Sequence, residues 1–213
     1  MSAIVKICGL RQAEHVDAAV AAGAGLTGYV FFPASPRNVS IAEAALLTAR
    51  VPDNVRKVAL TVDADDELLR RIVDGAGIDT LQLHGLESVA RVDEIRQKFG
   101  LPVIKALPIE AAGDLVSARA FEGHADMLLF DAKPPKHATR PGGNAEPFDW
   151  RLLQGLKFNV PWLLAGGLDA DNVAEALRLT GAPMVDVSSG VEEAPGQKSS
   201  RKIHDFIAAV KAG

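Results

Sequence analysis

The segment VRKVALTVDADDELLRRIVDGAGIDTLQLHG, running from Val55 to Gly85, holds one full unit of a pattern that the whole chain repeats. Val55 to Val62 is a short run rich in β-branched residues, which predicts a strand. Asp65 to Asp74 (DDELLRRIVD) has the amphipathic period of a helix and an acidic first turn, where carboxylates oppose the positive end of the helix dipole. Ile78 to Leu83 then predicts a second strand. A helical crossover returns the chain to the same edge of the sheet, so the two strands run parallel.

Outward from this unit the alternation continues in both directions. Toward the N-terminus, strands are predicted at Ala3 to Ile7 and Leu26 to Phe31, with helices at Arg11 to Ala22 and Ile41 to Arg50. Toward the C-terminus, strands are predicted at Leu101 to Ala106, Asp126 to Phe130, Trp162 to Ala165 and Met184 to Val187. The matching helices fall at Glu87 to Phe99, Ala112 to Phe121, Phe148 to Leu156, Asp171 to Leu179 and Arg201 to Val210. Eight such repeats predict an α/β fold, a single (β/α)8 TIM barrel spanning residues 1–213. An open doubly wound sheet is the alternative. It usually carries a Gly-rich fingerprint after its first strand, where this chain has Cys8-Gly9-Leu10-Arg11. One connection breaks the rhythm: Ala132 to Pro147 (AKPPKHATRPGGNAEP) is long, polar and rich in Pro and Gly, which predicts a lid at the catalytic end of the barrel.

Composition narrows the function. The 213 residues are 48% hydrophobic and 23% charged, ordinary for a globular chain that buries its own core. A net charge of −4 argues against a nucleic-acid groove. It leaves room for a small phosphorylated substrate held by backbone N–H groups and a few cations. The lone cysteine, Cys8, excludes an intramolecular disulfide. The N-terminus lacks the layout of a secretory signal, and no apolar run suits a membrane span, so a cytoplasmic protein is expected.

In a barrel of this kind, chemistry concentrates at the carboxyl ends of the strands. The first predicted strand leads into Cys8, where a following helix N-terminus would favour the thiolate; a free cysteine is equally at home as a small buried hydrophobe. Asp131 follows the apolar run Met127 to Phe130, and an apolar wall there would favour a proton-donating acid; a helix cap or a solvated loop residue is the bland alternative. Gly166-Gly167 and Ser188-Ser189-Gly190 follow the last two strands, where many barrels cradle phosphate on backbone N–H groups. Gly142 and Gly143, in the predicted lid, would add further donors. Arg37 sits in a Pro-containing turn, and its planar fork suits a carboxylate or a phosphate. His84 reads as an acid/base group or as a structural, hydrogen-bonded histidine. Lys6 shares a strand face with Cys8 and needs a buried anionic partner if that face is interior, for which Asp186 on the eighth strand is the candidate.

Taken in order, these stretches resemble the phosphoribosylanthranilate isomerase family. The resemblance rests on Lys6-Ile7-Cys8-Gly9, on Gly28-Tyr29-Val30-Phe31 with Ser35-Pro36-Arg37, and on Gln82-Leu83-His84-Gly85. It continues through Pro141-Gly142-Gly143 with Phe148-Asp149-Trp150, Ala165-Gly166-Gly167-Leu168, and Val185 to Glu192 (VDVSSGVE). It implies an isomerase that performs an Amadori rearrangement of N-(5-phosphoribosyl)anthranilate in tryptophan biosynthesis, with Asp131 as acid and Cys8 as base. Arg37 would hold the anthranilate carboxylate, and Gly142, Gly143, Gly166, Gly167, Ser189 and Gly190 the phosphate. No cofactor and no metal are implied, and the chain would act as a monomer or homodimer. Two departures stand out: Asn144-Ala145 replace a further Gly-containing lid sequence, and the third strand ends Leu60-Thr61-Val62-Asp63 where Gly-Val-Phe is more usual.

Three competing functions are separable on residues. A metal-dependent epimerase would place His and Asp ligands on several strand ends, whereas only His84 among five histidines ends a strand. An isomerase serving two amino-sugar substrates would pair carboxylates, and the first strand offers a cysteine instead. A non-catalytic phosphate sensor would need the glycine turns but neither Cys8 nor Asp131.

Overall fold

In the computed structural model, which describes residues 2–133 and 148–213, side chains along each strand alternate between two cores. Val5 and Ile7 of β1 (Ile4–Cys8) face outward into the layer under the helices, while Lys6 and Cys8 face the barrel axis. The remaining strands are β2 (Leu26–Phe31), β3 (Arg56–Thr61), β4 (Thr80–Leu83), β5 (Val103–Ile109), β6 (Met127–Ala132), β7 (Trp162–Leu164) and β8 (Met184–Val187). They pair in parallel and in chain order, and β1 meets β8 in a register that sets Lys6 opposite Asp186, closing the barrel. The TIM barrel predicted from the alternation is therefore the architecture observed.

The helices are α1 (Ala13–Ala22), α2 (Ile41–Thr48), α3 (Asp66–Gly75), α4 (Val89–Phe99), α5 (Ala112–Arg119), α6 (Val173–Thr180) and α7 (Ser200–Ala212). Local chemistry sets several starts. Ser40 and Glu43 form a reciprocal capping box on α2, and the Asp65, Ser88 and Ser199 side chains cap α3, α4 and α7.

One predicted helix does not form. Between β6 and β7 only a 3-10 turn, Trp150–Leu153, stands where Phe148 to Leu156 was expected to be α-helical. Asp149 accepts from the Arg151 N–H and tightens the start, while Gly155, at φ 72°, ends the turn before a second can add bonds. The face that a helix would cover is filled by aromatic packing instead. Phe158 and Trp162 lie against Phe130 with ring centroids 4.8 and 5.5 Å away. An unpredicted antiparallel hairpin, β9 (Glu192–Ala194) and β10 (Gln197–Lys198), follows β8.

The barrel axis is plugged by carbon below and lined by functional groups above. Leu26, Val58, Ile104, Leu129, Leu163 and Met184 belong to the inner cluster, and a fully buried side chain of this kind contributes about 1.5–3 kcal/mol. Above them, the mouth carries Cys8, Gln82, His84, Asp131 and Asp186. No helix among the described residues is long and apolar enough to cross a membrane.

Candidate active site

On the β1–β8 side of the mouth, Lys6 is fully buried and donates from Nζ to Asp186 Oδ1 at 2.8 Å, the partner that strand parity suggested. Cys8 stands two residues further along the same face and is 3% exposed. Both reach toward Gly28 of β2: a Cβ built there would lie 3.0 Å from Cys8 Sγ and 3.2 Å from Lys6 Nζ. Gly28 therefore leaves the space in which thiol and ammonium approach each other. Burial pushes the Cys8 thiol above its ordinary range, and Asp186 adds to this, while Lys6 and Lys198 pull it down. For Lys6, burial pulls the ammonium down, but Asp186 and Cys8 outweigh it and raise it overall.

On the β4–β6 side, Asp131 is 7% exposed, and its Oδ1 accepts from the Ala132 N–H at 2.8 Å. Its Oδ2 faces His84 Nε2 at 3.4 Å. Behind the ring, Gln82 Nε2 lies 3.0 Å from His84 Nδ1. With that amide donating, Nδ1 accepts, and Nε2 is the ring nitrogen turned toward Asp131. A cavity of about 170 Å³ opens here, lined by Val62, Asp63, His84, Leu86, Ala106, Pro108 and Asp131. Apart from Asp63, His84 and Asp131, that lining is largely carbon.

The loop carrying His84 is clamped from beneath. Lys105 Nζ donates to Glu87 at 2.6 Å and to the Gly85 carbonyl at 2.7 Å, and Glu87 in turn accepts from the Asp63 and Gly85 N–H groups. Asp63 is held at φ 47° and accepts from the Leu86 N–H at 2.7 Å. This gives the unusual end of the third strand a physical role, because Val62 and Asp63 line the cavity beside Asp131 and Asp63 staples the neighbouring loop.

Arg37 differs from the expectation of a free fork. Its Nε and Nη2 already grip Glu192 at 2.7 and 2.8 Å, in a bidentate pair that is buried on both sides. Burial pushes the Glu192 carboxyl up, but Arg37 and Lys198 outweigh it and hold it below its ordinary range. Arg37 therefore has only its outer N–H groups left for a ligand. Its stem crosses the turn after Cys8, where a Cβ on Gly9 would stand 2.6 Å from Arg37 Cδ. Sequence reading passed over Glu192 and Lys198 as site residues; the turn dipeptide Pro195-Gly196 between two short flanks was the available sign of their hairpin.

The late loops serve different neighbours. Gly166, at φ 85°, backs onto Asp131 rather than standing free: a Cβ there would lie 2.6 Å from the Ala132 nitrogen and 3.1 Å from Asp131 Oδ1. Gly190 packs on the Gly167-Leu168 turn, with its Cβ position 2.0 Å from the Leu168 carbonyl oxygen, so the two loops form one layer. Ser189 begins a 3-10 turn, Ser189–Val191, and Gly167 accepts from Asn172 through its carbonyl. Gly142 and Gly143 lie outside the described residues. Among the described residues, no group of three or more His, Cys, Asp or Glu side chains is arranged to hold a metal ion.

Comparison with known proteins meets this geometry. Residues 5–209 match the family model described as N-(5'-phosphoribosyl)anthranilate isomerase. The chain belongs to that family. A relative from Rhodopseudomonas palustris, named N-(5'-phosphoribosyl)anthranilate isomerase, is 56% identical over 212 residues, covering 100% of this chain and 97% of the relative. The crystal structure of phosphoribosyl anthranilate isomerase from Thermotoga maritima superposes with a TM-score of 0.87 at 31% identity, covering 99% of this chain and 100% of that one. A family structure in complex with reduced 1-(o-carboxyphenylamino)-1-deoxyribulose 5-phosphate superposes with a TM-score of 0.85 at 29% identity, over 99% of this chain and 100% of that one.

Proposed function

We propose that this chain converts N-(5'-phosphoribosyl)anthranilate to 1-(2-carboxyphenylamino)-1-deoxyribulose 5-phosphate, a step of tryptophan biosynthesis. It does so in the cytoplasm, as a monomer or homodimer whose barrel is one functional unit. The observation that carries the reading is the placing of one thiol and one carboxylic acid on different strand ends of a single barrel mouth, in a chain of this family. The reaction is an aldose-to-ketose isomerisation, internal to the substrate, and its proton transfers are assigned here to side chains alone.

Asp131 donates a proton to the ribose ring oxygen, and the C1′–O bond opens to give a Schiff base with the anthranilate nitrogen. The Cys8 thiolate then takes the proton from C2′, and the electron pair moves toward nitrogen to form an enolamine. Tautomerisation of the enolamine gives the ketone. His84 Nε2 faces the carboxylate that Asp131 becomes, so the 3.4 Å contact tightens as charge develops. The outer N–H groups of Arg37, braced by Glu192, take the anthranilate carboxylate. The layer formed by the Gly167 and Ser189-Gly190 loops takes the phosphate on its backbone N–H groups. Gly166 contributes chiefly by letting the seventh strand's loop approach Asp131.

The test is single turnover with phosphoribosylanthranilate, following loss of its anthranilate fluorescence. Conversion by the wild-type chain and none by the Cys8→Ala, Asp131→Asn double variant is the expected result; an inert wild-type chain overturns the reading.

A further inference from the structure

Lys198 is a buried cation that the reaction as written leaves unused. It sits on β10 with its side chain 1% exposed, and all three of its N–H donors are engaged. They reach the Ser188 carbonyl at 2.9 Å, Ser188 Oγ at 3.1 Å and Glu192 Oε1 at 2.9 Å. Ser188 Oγ donates in turn to the Cys8 carbonyl at 3.2 Å. Glu192, shared by Lys198, is the carboxylate that braces Arg37. One ammonium thus connects the backbone of the base to the brace of the cation assigned to the substrate carboxylate.

The charges around the thiol can be counted element by element. β1 contributes Lys6, β8 contributes Asp186, β9 and β10 contribute Glu192 and Lys198, and the loop after β2 contributes Arg37; β2 itself presents only Gly28. Three cations face two anions, so the cluster holds a net charge of +1 before Cys8 is counted. A thiolate brings the cluster to neutrality, whereas a neutral thiol leaves one buried positive charge uncompensated. Without Lys198 the remaining groups already balance, and a thiolate becomes the uncompensated charge.

We propose that Lys198 is a positioning residue whose buried charge makes the Cys8 thiolate accessible, while its bond to Glu192 keeps Arg37 aimed. The proposal rests on the role of Cys8 as base given above. Coulomb attraction from Lys198 opposes the burial that pushes the thiol up, and burial draws Lys198 itself down while the Glu192 carboxylate and a Cys8 thiolate pull it back up. Thiol and ammonium therefore titrate as a coupled pair, each ion favouring the other.

The experiment titrates Cys8 in the substrate-free protein by the ultraviolet absorbance of the thiolate. The chain has a single cysteine, and its single tyrosine, Tyr29, is pushed up to about 12 and does not interfere. Lys198→Met is expected to move the thiol midpoint up by about one pH unit, roughly a tenfold loss of thiolate at a given pH. Lys198→Arg, which keeps the charge, is expected to leave the midpoint at or below the wild-type value. A folded Lys198→Met protein with an unmoved midpoint overturns the proposal, as does a Lys198→Arg midpoint raised as far as that of the Met variant. If the Met variant does not fold, the Arg variant decides alone: a midpoint above wild type counts against Lys198, and one at or below it counts in favour. Because the titration needs no substrate, an inert wild-type chain in the turnover assay would overturn the functional reading without touching this result.

Discussion

On the β1–β8 side of the barrel mouth, Cys8 is surrounded by buried charge; on the β4–β6 side, Asp131 faces one imidazole and a wall of Val62, Leu86, Ala106 and Pro108. Under the proposed mechanism, the difference follows from what each group has to do. A buried thiol reaches its anionic form only if cations offset the loss of water, hence Lys6 and Lys198. A carboxylic acid that donates a proton needs carbon around it beforehand and one hydrogen-bond donor to receive its charge afterwards. The two halves of one pocket therefore have opposite electrostatic construction, and each can be perturbed without rebuilding the other.

The largest expected effect is at the base. Cys8→Ala should lower turnover toward the upper end of the about 10²–10⁴-fold range for loss of a general base, with the fold unchanged by circular dichroism. Retention of near-normal turnover would dissolve the contrast, since the charged half of the pocket would then have nothing to support. Asp131→Asn should lower kcat and kcat/KM together by about 10²–10³-fold while a product analogue still binds, because asparagine keeps the shape and loses the proton. Parallel measurement of analogue affinity separates that outcome from a collapsed pocket.

Lys6→Met probes the charged side through stability. It leaves Asp186 buried without its ammonium, and a loss of about 3–5 kcal/mol in urea unfolding is expected. A change well below that range would mean that water reaches Asp186 from the mouth.

The pH dependence carries a sign on each axis. Because the base must be deprotonated and the acid protonated at once, kcat/KM should be bell-shaped in pH. In Asp131→Asn, where only the thiol is left to ionise, the residual kcat/KM should rise with pH toward the raised Cys8 value, by up to tenfold per unit. The stability contribution of the same group runs the other way. The folded state holds that proton more tightly than the unfolded chain, so the contribution is complete below the unfolded thiol value and is lost as pH rises through the folded one. An Asp131→Asn profile flat from neutral to alkaline pH would put the base elsewhere.

The smallest expected effect belongs to His84→Asn, about a fewfold to tenfold in kcat, because the contact with Asp131 supports the acid without replacing it. A loss as large as that of Asp131→Asn would make the pair, rather than Asp131 alone, the acid.

Local pattern was enough to reveal the barrel. Runs such as Leu26 to Phe31 and Met184 to Val187 were legible to the residue, because a strand between two cores is buried along its whole length and is therefore largely apolar. The failed helix after β6 shows the limit: Phe148 to Leu156 has helical composition, but Gly155 and the packing of Phe158 and Trp162 on Phe130 leave it one turn. Propensity there was overruled by contacts between residues far apart in the chain.

The sequence by itself determined the parity of Lys6 with Cys8, the need of that face for an anion, and the reactive types at the ends of the strands. These are properties of neighbours in the chain, set by the two-residue period of a strand. Only the tertiary structure decided that Arg37 is already held by Glu192, that Lys198 reaches Cys8 through Ser188, and that Gly166 makes room for Asp131. Glu192 lies 155 residues from Arg37, and Cys8 lies 180 from Ser188. Closing the barrel joins the last strand to the first, and side chains from the two ends of the chain then compete for one another's hydrogen bonds before any substrate arrives.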